Sequence, residues 1–294
     1  MKVLVTGSSG FIARELIKSL KDCGHQVVGL SRSEPLNPIK GCEYLRFDLA
    51  KDNLELIPSG VDIVVHLAAQ QPSSKEITWT EYYSSNVEAL RRLKKFYEKK
   101  GALQFISIST TSVYGLSSCT NELNENSCVD PSTEYAISKY IGERLVKLSS
   151  EESVMQTTVL RFPSLIGRGQ NGGLVDTLFN LARKNQKIEI YNKGGVYRNL
   201  LYIGDAVSAI LKCLELIQDL ENFEIFVIGS ANSMKTIDLA ELIVKKLNSS
   251  SKVIPVGKES LVDTNVFIDQ TKAEGTLNFR PLSIEEGIDA YLGG

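Results

Sequence analysis

Short apolar runs and helical spacings take turns along the first half of this chain. Lys2 to Val5 is a compact apolar run, read as a buried strand, and beyond Gly10 the positions Ile12, Leu16, Ile17 and Leu20 fall on one helix face. Gln26 to Leu30, Tyr44 to Asp48, Gln104 to Ser109 and Val154 to Phe162 read as further strands, and the β-branched run from Val61 to Leu67 as a central parallel one. Between them, Val87, Leu90, Leu93 and Phe96 stripe a helix from Asn86 to Tyr97. Ile137, Ile141, Leu145 and Leu148 stripe another, begun by the start signals Pro131, Ser132 and Thr133. Strand and helix alternating in this way predict an α/β fold with a doubly wound parallel sheet.

The character changes after about residue 163. A glycine-rich stretch, Gly167 to Gly173, leads into a helix over Leu174 to Arg183 and a short strand over Ile188 to Tyr191. Arg198 to Ile203 then reads as a strand, Asp205 to Leu216 as a helix and Glu224 to Ile228 as a strand. Helices over Ile237 to Leu247 and Ile284 to Leu292 flank an extended Val253 to Val256. The expected division is a dinucleotide-binding domain over 1–163 and a smaller α/β substrate lobe over 164–294, with part of 200–230 returning to the first domain.

Composition narrows the function. The chain has 294 residues, 43% hydrophobic and 23% charged, with net charge -2, so neither a nucleic-acid partner nor a membrane is expected. Because the first strand runs straight into a glycine turn, with no room for a signal peptide, the expected location is the cytoplasm. Five scattered cysteines, none at CxxC spacing, read as free thiols, and two distant histidines, His25 and His66, do not make a metal site.

Candidate chemistry begins at Tyr135-Ala136-Ile137-Ser138-Lys139, where the four-residue offset puts phenol and ammonium on one helix face, an acid/base pair. Gly7, Gly10 and Ala13, at a strand-to-helix turn, suit a pyrophosphate: the turn is tight, the backbone approaches closely, and unpaired N–H groups face the anion. At the end of the second strand Ser31-Arg32-Ser33 offers an arginine rather than a carboxylate, which favours a ribose 2′-phosphate and so NADP(H), with NAD(H) possible. Asp48 and Leu49 follow the third strand, and Leu67, Ala68 and Ala69, small or apolar, let a cofactor lie close at the fourth. The hydroxyl-rich loop from Ser109 to Gly115 ends the next. Gln70, Gln71, Asn171 and Tyr191 are further polar candidates for lining a substrate site.

Thr6-Gly7-Ser8-Ser9-Gly10-Phe11-Ile12, His66-Leu67-Ala68-Ala69, Asn86-Val87, Val113-Tyr114-Gly115 and Tyr135 with Lys139 together resemble the extended short-chain dehydrogenase/reductase family, in its branch of sugar-nucleotide epimerases, dehydratases and ketoreductases. The likeness continues through Arg198 to Asp205, Phe226 to Gly229, Asp269 to Lys272 and Glu285-Glu286-Gly287. It implies a Rossmann domain, a homodimer through helices near 86–100 and 134–149, and a nucleotide-diphosphate sugar as substrate. Tyr135 is then the acid/base, Lys139 lowers its pKa and holds the nicotinamide ribose, and Thr110 hydrogen-bonds the reacting oxygen. Gly7, Gly10, Phe11 and Ile12 match the pyrophosphate loop, Asp48 and Leu49 the adenine contacts, Ala68 and Ala69 the ribose-phosphate contacts and Pro163 the nicotinamide wall. Thr111 and Arg198 match substrate positions, Arg198 facing the diphosphate. The family's dehydratases carry Asp-Glu after the catalytic Thr, whereas this chain has Thr111 and Ser112, which disfavours elimination of water. Arg32 tips the expectation toward a 4-keto-sugar reductase, with an NAD-retaining 4-epimerase as the alternative and a non-catalytic dinucleotide-binding relative behind both.

Overall fold

The computed structural model describes residues 1–73, 75–115, 122–170, 172–257 and 264–293; Cys119 and Asn171 lie outside them. The first half of the chain gives β1 (Lys2–Thr6), α1 (Phe11–Asp22), β2 (Gln26–Ser31), β3 (Glu43–Arg46), β4 (Ile63–His66), α2 (Trp79–Tyr82), a π-helical segment (Tyr83–Glu88), α3 (Ala89–Lys99), β5 (Gln104–Thr110), α4 (Glu134–Ser150) and β6 (Gln156–Phe162). Then follow β7 (Ser164–Ile166), α5 (Gly173–Arg183), β8 (Ile188–Ile190), β9 (Tyr197–Arg198), β10 (Leu200–Tyr202), α6 (Ile203–Glu215), β11 (Phe223–Val227), β12 (Met234–Lys235), α7 (Thr236–Lys246), β13 (Val253–Pro255), α8 (Thr271–Leu277) and α9 (Ile284–Gly293).

Seven parallel strands form one sheet in the order β11-β6-β5-β4-β1-β2-β3. Alternation along each strand divides its side chains between two cores. Val3, Val5, Ile63, Val65 and Ile106 face a core closed by α1, α6 and α8, whereas Leu4, Val64 and Phe105 face one closed by α3 and α4. Both faces are covered, which is why these strands read as continuous apolar runs. The sheet is the doubly wound parallel one expected from the sequence. A third core joins α5, α7 and α9 to β7, β8 and β10, beside the carboxyl end of β6.

Two local predictions need correction. Arg198 to Ile203 is not one strand: it breaks at Asn199, whose buried amide donates to the carbonyls of Ser230 and Asn232 and accepts from the Ser230 N–H at 2.9 Å. β9 therefore pairs antiparallel with β12 and β10 parallel with β7. The helix expected from Asn86 begins earlier, at Thr78, which caps α2 in a reciprocal pair with Glu81 and runs through the π-helical segment into α3. No helix among the described residues is long and apolar enough to cross a membrane.

Candidate active site

The carboxyl ends of the parallel strands open into one cavity of about 1030 Å³. At the switch point the sheet turns outward in both directions from β1 and β4, and Gly7 after β1 faces Leu67 and Ala68 after β4. Gly7 has φ +67°, and a Cβ there would meet the Ala68 nitrogen at 2.9 Å, so the turn needs glycine on both counts. Ser8, next along, packs on Gly29 and meets the Ser31 hydroxyl at 2.9 Å, which ties the loop to the end of β2. Arg32 and Ser33 follow on the cavity rim. Thr110 ends β5, and its hydroxyl accepts from the Ser112 N–H at 3.1 Å. Tyr135 comes from the first turn of α4, which Thr133 caps by accepting from the Ala136 N–H at 3.2 Å.

Burial dominates the electrostatics. It pushes the Tyr135 phenol up to about 12, opposed by hydrogen bonding with Gln71 and Thr110. It pulls the Lys139 ammonium down to about 8, opposed by the Glu143 carboxylate one turn on. The groups acting on the phenol are Gln71, Thr110 and Tyr82, and desolvation outweighs them. Beneath the pair, His66 is fully enclosed; burial and the nearby Lys139 hold it neutral, with a pKa of about 3, and its Nδ1 lies 2.9 Å from the Thr6 hydroxyl. Glu143 is held by Arg161 at 2.6 Å, and Arg161 also donates to Tyr114 Oη at 2.8 Å.

The residues present fit a dinucleotide. Ser109 Oγ is buried on the cavity wall with no hydrogen-bond partner among the described residues, a donor awaiting an acceptor, and the Lys139 ammonium, 6% exposed, lies behind Tyr135. Arg32 follows β2, whose end lies three strand spacings from Thr110 at the end of β5, or about 14 Å, a span an extended dinucleotide bridges.

Gly7, Gly10, Phe11, Ile12, Arg32, Asp48, Leu49, Leu67, Ala68, Ala69, Thr110, Thr111, Tyr135, Pro163 and Arg198 all line this one cavity; Lys139 lies just behind it. Of the further polar candidates Gln71 lines it, Gln70 donates its side-chain amide to the Gln71 carbonyl and bonds Asn86 through its backbone, and Tyr191 is not on the wall. Sequence reasoning missed Ser85, Ser132, Gln170, Asn199, Thr264 and Val266 on the wall. These sit on loops from separate parts of the chain, where only the closed fold brings them together. Asn199, adjoining Arg198, was the one with a usable signal.

The family model described as the NAD dependent epimerase/dehydratase family matches residues 3–229. A Bacillus subtilis protein named an uncharacterized UDP-glucose epimerase is 28% identical, covering 99% of this chain and 98% of its own. The dTDP-D-glucose 4,6-dehydratase of Mus musculus is 31% identical over 89% of this chain and 77% of its own. Among solved structures, the Thermotoga maritima UDP-glucose 4-epimerase with UDP-glucose superposes with TM-score 0.88 at 22% identity, over 100% of this chain and 98% of that one. The Bacillus cereus UDP-glucuronic acid 4-epimerase with NAD gives 0.86 at 24% identity, with the same coverage. A model matching this much of the chain, on a Rossmann sheet whose strand ends gather these motifs around one cleft, makes the protein a member of the NAD-dependent epimerase/dehydratase family, within the extended short-chain dehydrogenases/reductases.

Proposed function

We propose that this protein is a nucleotide-sugar 4-epimerase, inverting C4 of a sugar carried on a nucleoside diphosphate. The observation that carries this reading is the charge of the cavity wall: among the described residues Asp48 is its only carboxylate. Asp48 follows β3, four strand spacings from the end of β5, or about 19 Å from Thr110. Elimination of water from the sugar needs an acid and a base beside the reacting carbon, and there Thr111 and Ser112 offer hydroxyls only. Hydroxyls serve a reversible oxidation. When bound, the nicotinamide supplies a two-electron acceptor for C4. Tyr135 takes the C4 hydroxyl proton as that carbon is oxidised and returns it on reduction, with Thr110 hydrogen-bonded to the same oxygen. Lys139 holds the nicotinamide ribose and places positive charge behind the phenol, and Arg198 grips the diphosphate with its planar fork. Named UDP-glucose and UDP-glucuronic acid epimerases among the relatives support a UDP-sugar and bound NAD.

One observation favours a second reading, a 4-keto-sugar reductase using NADPH. Arg32 is exposed on the rim, where a carboxylate would select NAD, and has no ion-pair partner among the described residues. The test is the nucleotide released when purified protein is denatured, together with NMR of UDP-glucose and UDP-glucuronic acid incubated with the enzyme. The epimerase reading expects about one NAD per chain and the C4 epimer without added cofactor. An empty site that binds NADPH selectively, and no epimer, would replace it with the reductase.

A further inference from the structure

The loop that follows β3 is held from outside the cleft. Phe47, Asp48, Leu49 and Ala50 line the cavity, and Leu49 packs with Ala89 and Leu93 of α3 in one core. Residues 48–52 close on themselves. The Ala50 N–H donates to the Asp48 carboxylate at 3.0 Å, the Asp52 N–H donates to the Asp48 carbonyl at 2.8 Å, and the Asp52 carboxylate accepts from the Asp48 N–H at 2.7 Å. These bonds use none of the carbonyls of Leu49, Ala50 and Asp52. Arg92 on α3 takes all three, donating to Leu49 at 3.0 Å, to Ala50 at 2.6 Å and to Asp52 at 2.8 Å. Its neighbour Arg91 pairs with Glu88 at 2.7 Å, whereas Arg92 forms no ion pair among the described residues and is not on the cavity wall. The Arg92 guanidinium therefore serves the backbone: a planar fork with five N–H donors meets three converging carbonyls that a compact ammonium could not all reach.

We infer that Arg92 is a positioning residue for the adenine end of the cofactor, clamping the 48–52 loop from behind so that Asp48 and Leu49 are set before the dinucleotide arrives. Its consequence for binding rests on the reading of Asp48 and Leu49 as adenine contacts; the clamp itself does not. A loop ordered in advance gives up less freedom on binding, so the cofactor is held more tightly and leaves more slowly. Slow release suits an enzyme that returns its hydride to the same sugar, because the cofactor then stays in place from one turnover to the next.

Hydrogen exchange reads the clamp without any ligand. In Arg92→Met, which keeps the apolar stem, the amides of Asp48, Ala50 and Asp52 should exchange at least about 10-fold faster while those of β5 hold. Unchanged exchange in the loop overturns the inference. Binding then separates the two ends of the cleft. Arg92→Met should weaken NAD by about 10- to 100-fold and UDP by less than about threefold. It should also erode the parent's preference for NAD over nicotinamide hypoxanthine dinucleotide, whose 6-oxygen cannot donate to the Asp48 carboxylate as an amino group does. Unchanged NAD affinity, equal weakening of NAD and UDP, or a base preference as large as the parent's overturns the inference. Arg92→Lys, a point charge in place of the fork, should fall between the two proteins, and it decides the matter if Arg92→Met fails to fold. A parent with no preference between the two bases would instead sink the reading of Asp48 and Leu49 as adenine contacts and leave the exchange result standing.

Discussion

Lys139 carries its ammonium four residues beyond Tyr135 into the interior, where desolvation outweighs the Glu143 carboxylate, so burial lowers it to about 8 while raising the phenol to about 12. A folded-state pKa below the unfolded 10.5 means that the folded chain bears the cost of a buried charge in full below about pH 8, and sheds it as pH rises from 8 toward 10.5. In cofactor-stripped protein Lys139→Met should therefore raise Tm at pH 7, by at least about 2–4 °C, and this advantage should shrink between pH 8 and 10.5, as read by calorimetry across that range. Turnover should be lost at the same time. A variant no more stable than the parent at pH 7 would show that the ammonium finds partners after all. The spacing of Tyr135 and Lys139 was legible in the sequence because a helix converts four residues into one face. Desolvation was not, because it depends on what the fold lays over them.

At the scale of elements, α4 is anchored by more than its apolar stripe. Glu143 and Arg161 on β6 form a buried bidentate pair, completed by Tyr114 Oη, which itself donates to the Asn124 carbonyl at 2.7 Å. Arg161→Met would leave the Glu143 carboxylate enclosed without a countercharge, at a cost of about 3–5 kcal/mol, measurable as a lowered urea midpoint with unchanged slope. A loss below about 1 kcal/mol would mean that water reaches Glu143. Long elements were read correctly because β-branched runs and 3.6-residue stripes repeat often enough to be counted. Strands of two or three residues, such as β7, β9 and β12, carry no such repeat, and their pairing is set by Asn199 reaching the backbone near Ser230. α8 escaped notice because only Ala273 and Leu277 are buried along it.

For the whole molecule, the sequence-predicted site residues gather at one edge of the sheet because a parallel sheet sends all its carboxyl ends the same way. Their exact neighbours came from loops no pattern describes. α4 exposes Ile137 and Leu148, 37% and 55% accessible, and the segment before α3 exposes Tyr83. We infer that these faces pair two copies of the chain, so light scattering should give twice the 32.4 kDa of one chain, and Leu148→Glu should shift that mass toward the single chain. A monomer in the parent protein would refute the pairing. The cleft wall draws on segments from Gly7 near one terminus to Val266 near the other. A ligand filling it behaves as a reversible cross-link between the earliest and the latest parts of the chain, closing a loop far longer than any hairpin in the fold. Occupancy then bears on the lifetime of the native state as well as on chemistry, since unfolding from either end requires the ligand to leave first.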